Sequence, residues 1–368
     1  MESIGNLNKI SSKWGQNLQA SNLLVINYAM DEKSQVFSHQ VEVVNKLADK
    51  YDQVTVLTGL IGTYKVLSNV KVFSCNWIPG KRFFSLYRFI MKFLQLLTSH
   101  KFTCIFSHMT SVQSTFISPI TRVLRIRHYL WYAHTSDNIY LQISRALTNG
   151  IITSTPGSCS IKGRKVYAIG QSVDSKFFDK KLRLETPIIN LIHIGRFDPS
   201  KNIESIVTEI KQLRDEYPGL KLNIIGSPSS DKFQQYMESV KSKFMADVQI
   251  GWLTFMPAIK RKKIPDELKK YDCFVHGFQG SLDKTLVEAT LSAIPVATVN
   301  KEYLKIFGKW NYSNSNNQPF LTSELRFILS SGANAISKEV DRRHEIARTN
   351  HDIEGWINRL VNVLDHKK

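Results

Sequence analysis

The chain has 368 residues, of which 42% are apolar, a size and composition that suit a soluble protein with two α/β domains. Lys and Arg number 49 against 31 Asp and Glu, so the formal net charge is +18. This excess favours partners that carry phosphate, which include small molecules, anionic membranes and nucleic acids. The sequence has no zinc-finger, helix-turn-helix or RNA-binding motif, so we expect no nucleic-acid partner.

The four cysteines are far apart, and no pair has the spacing of metal ligands, which predicts buried free thiols in a reducing compartment. Residues 1–21 are polar and lack the apolar segment of a secretory signal. No run of about eighteen apolar residues occurs, so we expect no spanning helix. These features predict a cytoplasmic protein.

The first half of the chain begins with a Rossmann-type pattern. An apolar strand over 23–27 is followed by a polar loop, a helix over 37–50 and a second strand over 54–57. A Gly-x-Gly-x-x-Gly fingerprint is missing, which disfavours a dinucleotide cofactor.

Two later apolar strands end in histidine, at His108 and His134. The carboxyl ends of parallel strands are where open α/β sheets bind ligands, so both histidines are candidate site residues. Histidines at strand ends also have structural roles, and this alternative stays open.

Residues 81–94 are basic and aromatic and predict a helix. Either its apolar side packs on the sheet with Lys and Arg pointing outwards, or it contacts a membrane surface. The basic run 260–263 has similar alternatives, a solvated loop or a contact with phosphate or membrane.

A second α/β series follows a charged linker that we place at 179–186. A strand over 190–194 leads into a tight turn and an amphipathic helix. Arg196 and Lys201 flank this turn, where they are suited to grip a diphosphate, although two solvated surface cations fit the pattern too. Further strands are predicted at 220–226 and 247–251.

The stretch 280–297 predicts a second anion site. A strand over 273–275 enters a polar loop and then a helix, and the backbone amides of Lys284, Thr285 and Leu286 lie at the start of that helix. Glu288 follows one turn later and is placed to accept hydrogen bonds from sugar hydroxyls. An ordinary crossover with a solvated Lys284 and Glu288 is the alternative.

This stretch resembles the donor-site motif of family 4 glycosyltransferases, enzymes of the GT-B fold. Glu288-Ala289 and residues 293–296 match the second half of that motif. Gly280 stands where the family has its first Glu, within a Gly-Ser-Leu-Asp-Lys variant that looks like a sub-branch. Residues 195–202 resemble the family's Gly-Arg…Lys-Asn turn, and residues 131–134 resemble its strand-end histidine.

The resemblance implies an α/β fold of two Rossmann-like doubly wound parallel-sheet domains facing a cleft. The first, acceptor-side domain is expected over 22–178, with a terminal helix over 352–368 packing back on it, and the nucleotide-sugar donor domain over 188–345. Arg196, Lys201, Lys284, Thr285, Leu286 and Glu288 are then the donor-binding residues, and His134 and Asp283 the catalytic candidates. Gly251 and Trp252 are expected near the nucleobase.

The implied activity is a retaining hexosyltransferase that needs neither cofactor nor metal. It would move a sugar from a nucleotide-diphosphate sugar to a glycan or polyprenyl-diphosphate-linked acceptor in cell-surface polysaccharide synthesis, such as lipopolysaccharide or O-antigen. Peripheral contact with an anionic membrane is compatible with this role. A nucleotide-sugar epimerase of the same fold and a non-catalytic relative that binds nucleotide sugar remain alternatives.

Overall fold

A computed structural model describes residues 21–34, 37–178, 180, 187–310 and 320–365. The tail before residue 21, nearly all of the predicted linker at 179–186, the polar stretch 313–318 and the last three residues lie outside the described residues. The linker therefore stays a prediction.

The first sheet has seven strands in the order β3-β2-β1-β4-β5-β6-β7. The strands are β1 (Asn22–Met30), β2 (Gln53–Ile61), β3 (Val70–Ser74), β4 (Cys104–His108), β5 (Arg127–Trp131), β6 (Gly150–Thr153) and β7 (Val166–Ala168). β1 pairs in parallel with both β2 and β4. The strand order therefore reverses at the β1/β4 junction, which is where doubly wound sheets place ligands.

The second sheet has five parallel strands in the order β10-β9-β8-β11-β12. They are β8 (Asn190–Ile194), β9 (Lys221–Ile225), β10 (Leu253–Met256), β11 (Cys273–His276) and β12 (Val296–Thr298). Its order reverses between β8 and β11.

Helices connect the strands of both sheets, and the helices after Thr298 follow the last strand of the second sheet. In the first half they are α1 (His39–Ala48), α2 (Arg82–Ser99), α3 (Ser111–Val123) and α4 (Ile139–Leu147). In the second half they are α5 (Ile203–Leu213), α6 (Asp231–Lys243), α7 (Met245–Ile250), α8 (Ile264–Leu268), α9 (Lys284–Leu291), α10 (Lys301–Phe307), α11 (Leu321–Ser330), α12 (Ala333–His351) and α13 (Ile353–Asp365).

The second sheet is covered on both faces. Leu191 belongs to one apolar cluster and the next residue, Ile192, to another, because successive side chains of a strand point to opposite faces. Burial on both faces explains the continuous apolar run that predicts β8 from the sequence. The four cysteines are free and buried, as predicted.

The strand predicted at 247–251 is wrong, because α7 occupies these residues and β10 begins at Leu253. Val248 and Ile250 are exposed, whereas Asp247 is buried and pairs with Lys211 at 2.9 Å. Gly251 has a φ of +90° and ends the helix in the left-handed conformation that favours glycine.

The described chain forms two compact units. The first contains the residues up to Trp131, Ile143–Asn149 and the residues from Leu364 onwards; the second contains Tyr132–Gln142 and Gly150–Val363. The domain bounds 22–178 and 188–345 stay a prediction. Within the described residues, no helix combines the length and apolar character needed to cross a bilayer.

Candidate active site

Two turns of the second unit meet at the carboxyl edge of its sheet. One turn follows β8 and contains Arg196 and Lys201; the other follows β11 and contains Asp283. β8 and β11 are neighbours in the sheet, so the segments that leave their carboxyl ends are brought together. An ion pair between Lys201 and Asp283 joins the turns directly.

The first turn is held by its own polar side chains. Asp198 accepts a hydrogen bond from the backbone N–H of Ser200 at 2.9 Å and caps the short 3-10 helix Pro199–Lys201. Asn202 has a φ of +52° and donates from Nδ2 to the carbonyl of Gly277 at 2.8 Å. A Cβ on Gly277 would lie 2.9 Å from the carbonyl oxygen of Lys201, so this close approach requires glycine.

Lys201 is a buried cation. Its side chain is only 9% exposed, and its Nζ lies 4.0 Å from the ring centroid of Phe278, within range of a cation–π interaction. Arg196 differs because its side chain is exposed. The turn therefore presents one pre-oriented ammonium and one guanidinium that is free to reach a ligand.

Asp283 is held as a carboxylate. Burial alone would raise its pKa, but the Lys201 ammonium and the His276 imidazole outweigh burial and hold that pKa well below its usual range. His276 ends β11, is fully buried, and approaches the Asp283 carboxylate to 3.4 Å through Nε2. Asp283 also caps α9 by accepting from the N–H of Thr285 at 3.3 Å.

The Asp283 carboxylate is therefore engaged by Lys201, His276 and the first turn of α9. Its surroundings favour a role in orienting Lys201 over direct contact with a sugar. The catalytic role of Asp283 stays a prediction.

The backbone before α9 is fixed by buried polar side chains. Asn300 donates from Nδ2 to the carbonyls of Phe278 at 3.0 Å and Ser281 at 3.1 Å. The carbonyl of Leu282 accepts from Gln171 at 2.6 Å. These bonds order the loop that aims the N-terminus of α9.

The start of α9 can offer backbone donors to an anion, with the N–H of Thr285 shared with the capping Asp283 carboxylate. The first N–H groups of a helix have no partner within the helix, and they lie at the positive end of its dipole. Lys284, Thr285 and Leu286 occupy these positions, and the Thr285 hydroxyl is buried without a partner among the described residues. The predicted donor-binding residues of α9 therefore lie beside the Lys201–Asp283 pair.

Glu288 lies one turn into α9, with a side chain that is 2% exposed, and forms an ion pair with Arg261. Burial raises the pKa of Glu288, although Arg261 and Lys284 oppose that shift. Arg261 belongs to the basic run 260–263; its side chain is 36% exposed and pairs with Glu288, whereas Lys262 and Lys263 are exposed.

His134 follows β5 and lies within the second unit. Its Nδ1 accepts from the N–H of Ser136 at 3.0 Å, so the neutral ring carries its proton on Nε2. Partial desolvation lowers the pKa of His134, and the positive charges of Arg196 and Lys201 lower it further. His134 is thus a neutral imidazole near both cations of the first turn.

Trp252 and Gly251 are not at the site. Trp252 is buried in the core, where its Nε1 lies 3.3 Å from Asp247, and it precedes β10 at the amino end of the strand. The expectation that these two residues line the nucleobase site is wrong, because the predicted strand before them is the helix α7.

The first unit has a polar cluster of its own at the β1/β4 junction. Gln40 is buried, and its Nε2 lies 2.9 Å from His39 Nε2 and 2.9 Å from His108 Nδ1. The ring of His108 also stacks on Trp131 at 6.0 Å. The sequence predicts His108 as a candidate but not Gln40, which follows His39 at the start of α1.

His276, Asn300 and Arg261 were missed as well. They act on the site through other residues, and no local sequence signal marks such partners. Only His276 could have been found from the sequence, because it ends a strand at the carboxyl edge as His108 does. Among the described residues, no group of three or more His, Cys, Asp and Glu side chains is arranged to hold a metal ion.

The chain is similar to known proteins in sequence over one segment and in fold over nearly its whole length. Residues 174–306, roughly a third of the chain, match the family model described as "Glycosyl transferases group 1". The matched segment contains both turns and α9. A sequence comparison with curated proteins found no match.

Several solved structures share the fold over nearly the whole chain. HepE from Anabaena, in complex with UDP and glucose, is 14% identical with a TM-score of 0.70, covering 95% of this chain and 100% of that one. Sucrose-phosphate synthase from Thermosynechococcus elongatus is 14% identical with a TM-score of 0.72, covering 94% and 98%.

The lipopolysaccharide outer core galactosyltransferase WaaB, in its apo form, is 11% identical with a TM-score of 0.64, covering 93% and 98%. At such identities the likeness shows the fold alone. The chain has the GT-B fold, with two parallel-sheet α/β domains, and its central segment matches the glycosyl transferases group 1 model.

Proposed function

We propose that the protein is a glycosyltransferase that moves a hexose from a nucleotide-diphosphate sugar to a glycan or lipid-linked acceptor. One observation carries the proposal: two turns from adjacent strands bring Arg196, Lys201 and the N-terminus of α9 to one point of the sheet edge. Cations and helix amides in this arrangement are complementary to a diphosphate. The family match over 174–306 supports the same conclusion.

In the proposed reaction the bond between the anomeric carbon and the diphosphate oxygen breaks, and an acceptor oxygen bonds to that carbon. Negative charge builds on the leaving diphosphate, where Arg196, Lys201 and the α9 amides stabilise it. Lys201 has three N–H donors, so it can keep Asp283 and still donate to phosphate. The acceptor proton passes to the leaving phosphate, which gives retention without a protein nucleophile or a metal.

Glu288 is proposed to bind the ribose of the donor. Arg261 pairs with Oε1 of Glu288, and the carboxylate has a second oxygen that can accept a hydrogen bond from a hydroxyl. His134 is proposed to position the transferred sugar, because its neutral ring directs an Nε2–H donor from beside the two cations.

The acceptor and the setting belong to the same proposal. We place the enzyme on the cytoplasmic side of cell-surface polysaccharide synthesis, with a glycan on a polyprenyl diphosphate as acceptor and peripheral contact with the membrane. Because the lipopolysaccharide outer core galactosyltransferase WaaB has a similar fold, lipopolysaccharide synthesis is the first process to test.

The test is a turnover assay with a panel of nucleotide sugars and a lipid-diphosphate acceptor. UDP-glucose is the first donor to try, because solved structures of HepE contain UDP-glucose or UDP with glucose. Transfer to the acceptor supports the proposal. Interconversion of donors without acceptor would identify an epimerase, and saturable binding without turnover across the panel a non-catalytic relative; either result overturns it.

A further inference from the structure

Helix α2 has two apolar faces. Phe89, Phe93 and Leu96 are buried in the core of the first unit. On another face, Phe83 is 92% exposed and Tyr87 is 60% exposed. A helix that only covers a sheet needs one apolar face, so the exposed one is unexplained by packing.

The exposed residues form a continuous strip. Phe83, Tyr87 and Met91 follow each other at intervals of four, and successive helical residues are rotated by about 100°. Phe84 and Leu94 fall within the same arc of about 100°, and both are exposed. We call these five residues the α2 stripe.

Positive charge accompanies the stripe. Residues 53–136 include ten Lys and Arg residues and no Asp or Glu. Lys81 and Arg82 are exposed at the start of α2, and the guanidinium of Arg88 lies 5.6 Å from the ring centroid of Phe84. The face therefore combines aromatic side chains with cations that no carboxylate of this segment offsets.

We propose that the α2 stripe docks into the headgroup region of an anionic lipid membrane, with the helix lying parallel to the surface. Aromatic and aliphatic side chains flanked by Lys and Arg are suited to that interface. A second copy of the chain fits less well, because it would bring Lys81, Arg82 and Arg88 close to the same cations of its partner. The inference deepens the proposed function, since a lipid-linked acceptor lies in such a membrane, but its test needs no turnover.

The experiment is co-sedimentation of the full chain with vesicles of phosphatidylcholine alone or mixed with phosphatidylglycerol. Wild-type protein is expected to bind the anionic vesicles, and the variant Phe83→Ser/Tyr87→Ser to bind them at least about tenfold more weakly. Ile250→Ser is the matched control, because Ile250 is 71% exposed on α7 of the other unit. This control should bind like wild type.

The charge contribution is tested separately. Lys81→Gln/Arg82→Gln is expected to weaken binding to anionic vesicles by roughly fivefold for each cation, and added salt to weaken wild-type binding. Circular dichroism and thermal melting of all variants should match wild type, because the changed side chains are exposed.

Equal binding of wild type to neutral and anionic vesicles, or equal binding by the stripe variant and Ile250→Ser, overturns the proposal. A concentration-dependent dimer that the stripe variant abolishes, without vesicle binding by wild type, would assign the stripe to a second copy instead. Vesicle binding without transferase turnover would overturn the proposed function and leave the docking surface standing.

Discussion

The two sheets reverse their strand order at equivalent points, yet the side chains at those points differ in character. At the β8/β11 junction lies what we call the cationic edge, formed by Arg196, Lys201 and Lys284. At the β1/β4 junction lies the histidine edge, formed by His39, Gln40 and His108. The same topology thus supports two kinds of site, one built from cations and suited to a diphosphate, the other built from hydrogen-bonded imidazole and amide groups. Fold alone does not decide which ligand each edge takes.

The largest effect is expected from neutralising the buried cation of the cationic edge. Lys201→Ala should lower kcat/KM by about a hundredfold or more, because the diphosphate loses a pre-oriented donor. It should also destabilise the protein by about 3–5 kcal/mol, because Asp283 stays buried without its partner. Steady-state kinetics and urea unfolding measure the two effects.

Two controls sharpen this result. Lys201→Ala/Asp283→Asn should recover most of the lost stability but not the turnover, and Arg196→Ala should lose turnover without losing stability, because Arg196 is exposed. The histidine edge lies in the domain predicted to bind the acceptor, so Gln40→Ala should raise the KM for the acceptor and leave donor affinity unchanged. Wild-type turnover in both cation variants would remove the cationic edge from the mechanism.

Acid is expected to lower the free energy of unfolding through both sheets alike, whereas the substitutions above affect ligand binding at one edge. Burial lowers the pKa of His128 in the first sheet and of His193 in the second to about 3. The unfolded chain therefore takes up protons first, and the stability that these neutral rings contribute above pH 6.5 is lost as pH falls from about 6.5 to 3. Each ring contributes at most about 1.4 kcal/mol per pH unit.

Urea unfolding between pH 7.5 and pH 4 measures this slope. His128→Gln and His193→Gln should each flatten it, one in each unit. A slope unchanged in both variants would mean that other groups control the acid response.

Glu288→Gln tests the ribose contact at the cationic edge. Donor affinity should fall about tenfold, because a hydrogen bond to a charged acceptor is replaced by one to a neutral amide. Arg261→Gln is the matched variant, since it breaks the same ion pair but leaves the carboxylate. Equal losses of donor affinity in the two variants would indicate that the pair acts only through the fold; isothermal titration with the donor separates these outcomes.

The smallest effect is expected at His134. His134→Ala should lower turnover about fivefold while donor affinity changes little, because a single neutral donor to the sugar is lost. In an NMR titration, Arg196→Ala should move the pKa of His134 upwards, because a nearby positive charge that lowers it is removed. A fully active His134→Ala enzyme would make this histidine structural.

Local patterns in the sequence predict much of the fold and part of the site. The apolar runs predict the strands they become, because strands covered on both faces need continuous apolar side chains. The turns at Arg196 and Asp283 are also predicted by a local pattern, because polar and glycine residues follow a buried strand and precede a helix.

Failures arose where a residue's environment comes from distant parts of the chain. Residues 247–251 alternate like a strand, but Asp247 is the buried member because Lys211 and the indole of Trp252 lie beside it. The spacing within α9 predicts Glu288 near its N-terminus but cannot predict Arg261 beside it.

The sequence by itself determined most of the strands and helices along the chain, the positive charge and the two cationic turns, because these follow from composition and short-range periodicity. Only the tertiary structure decided that Lys201 reaches Asp283, that His276 lies behind that carboxylate, and that Gln40 joins His39 to His108. The physical reason is that parallel strands distant in sequence are neighbours in the sheet. The contacts at its carboxyl edge therefore depend on the order of the strands within the sheet, which no local pattern encodes.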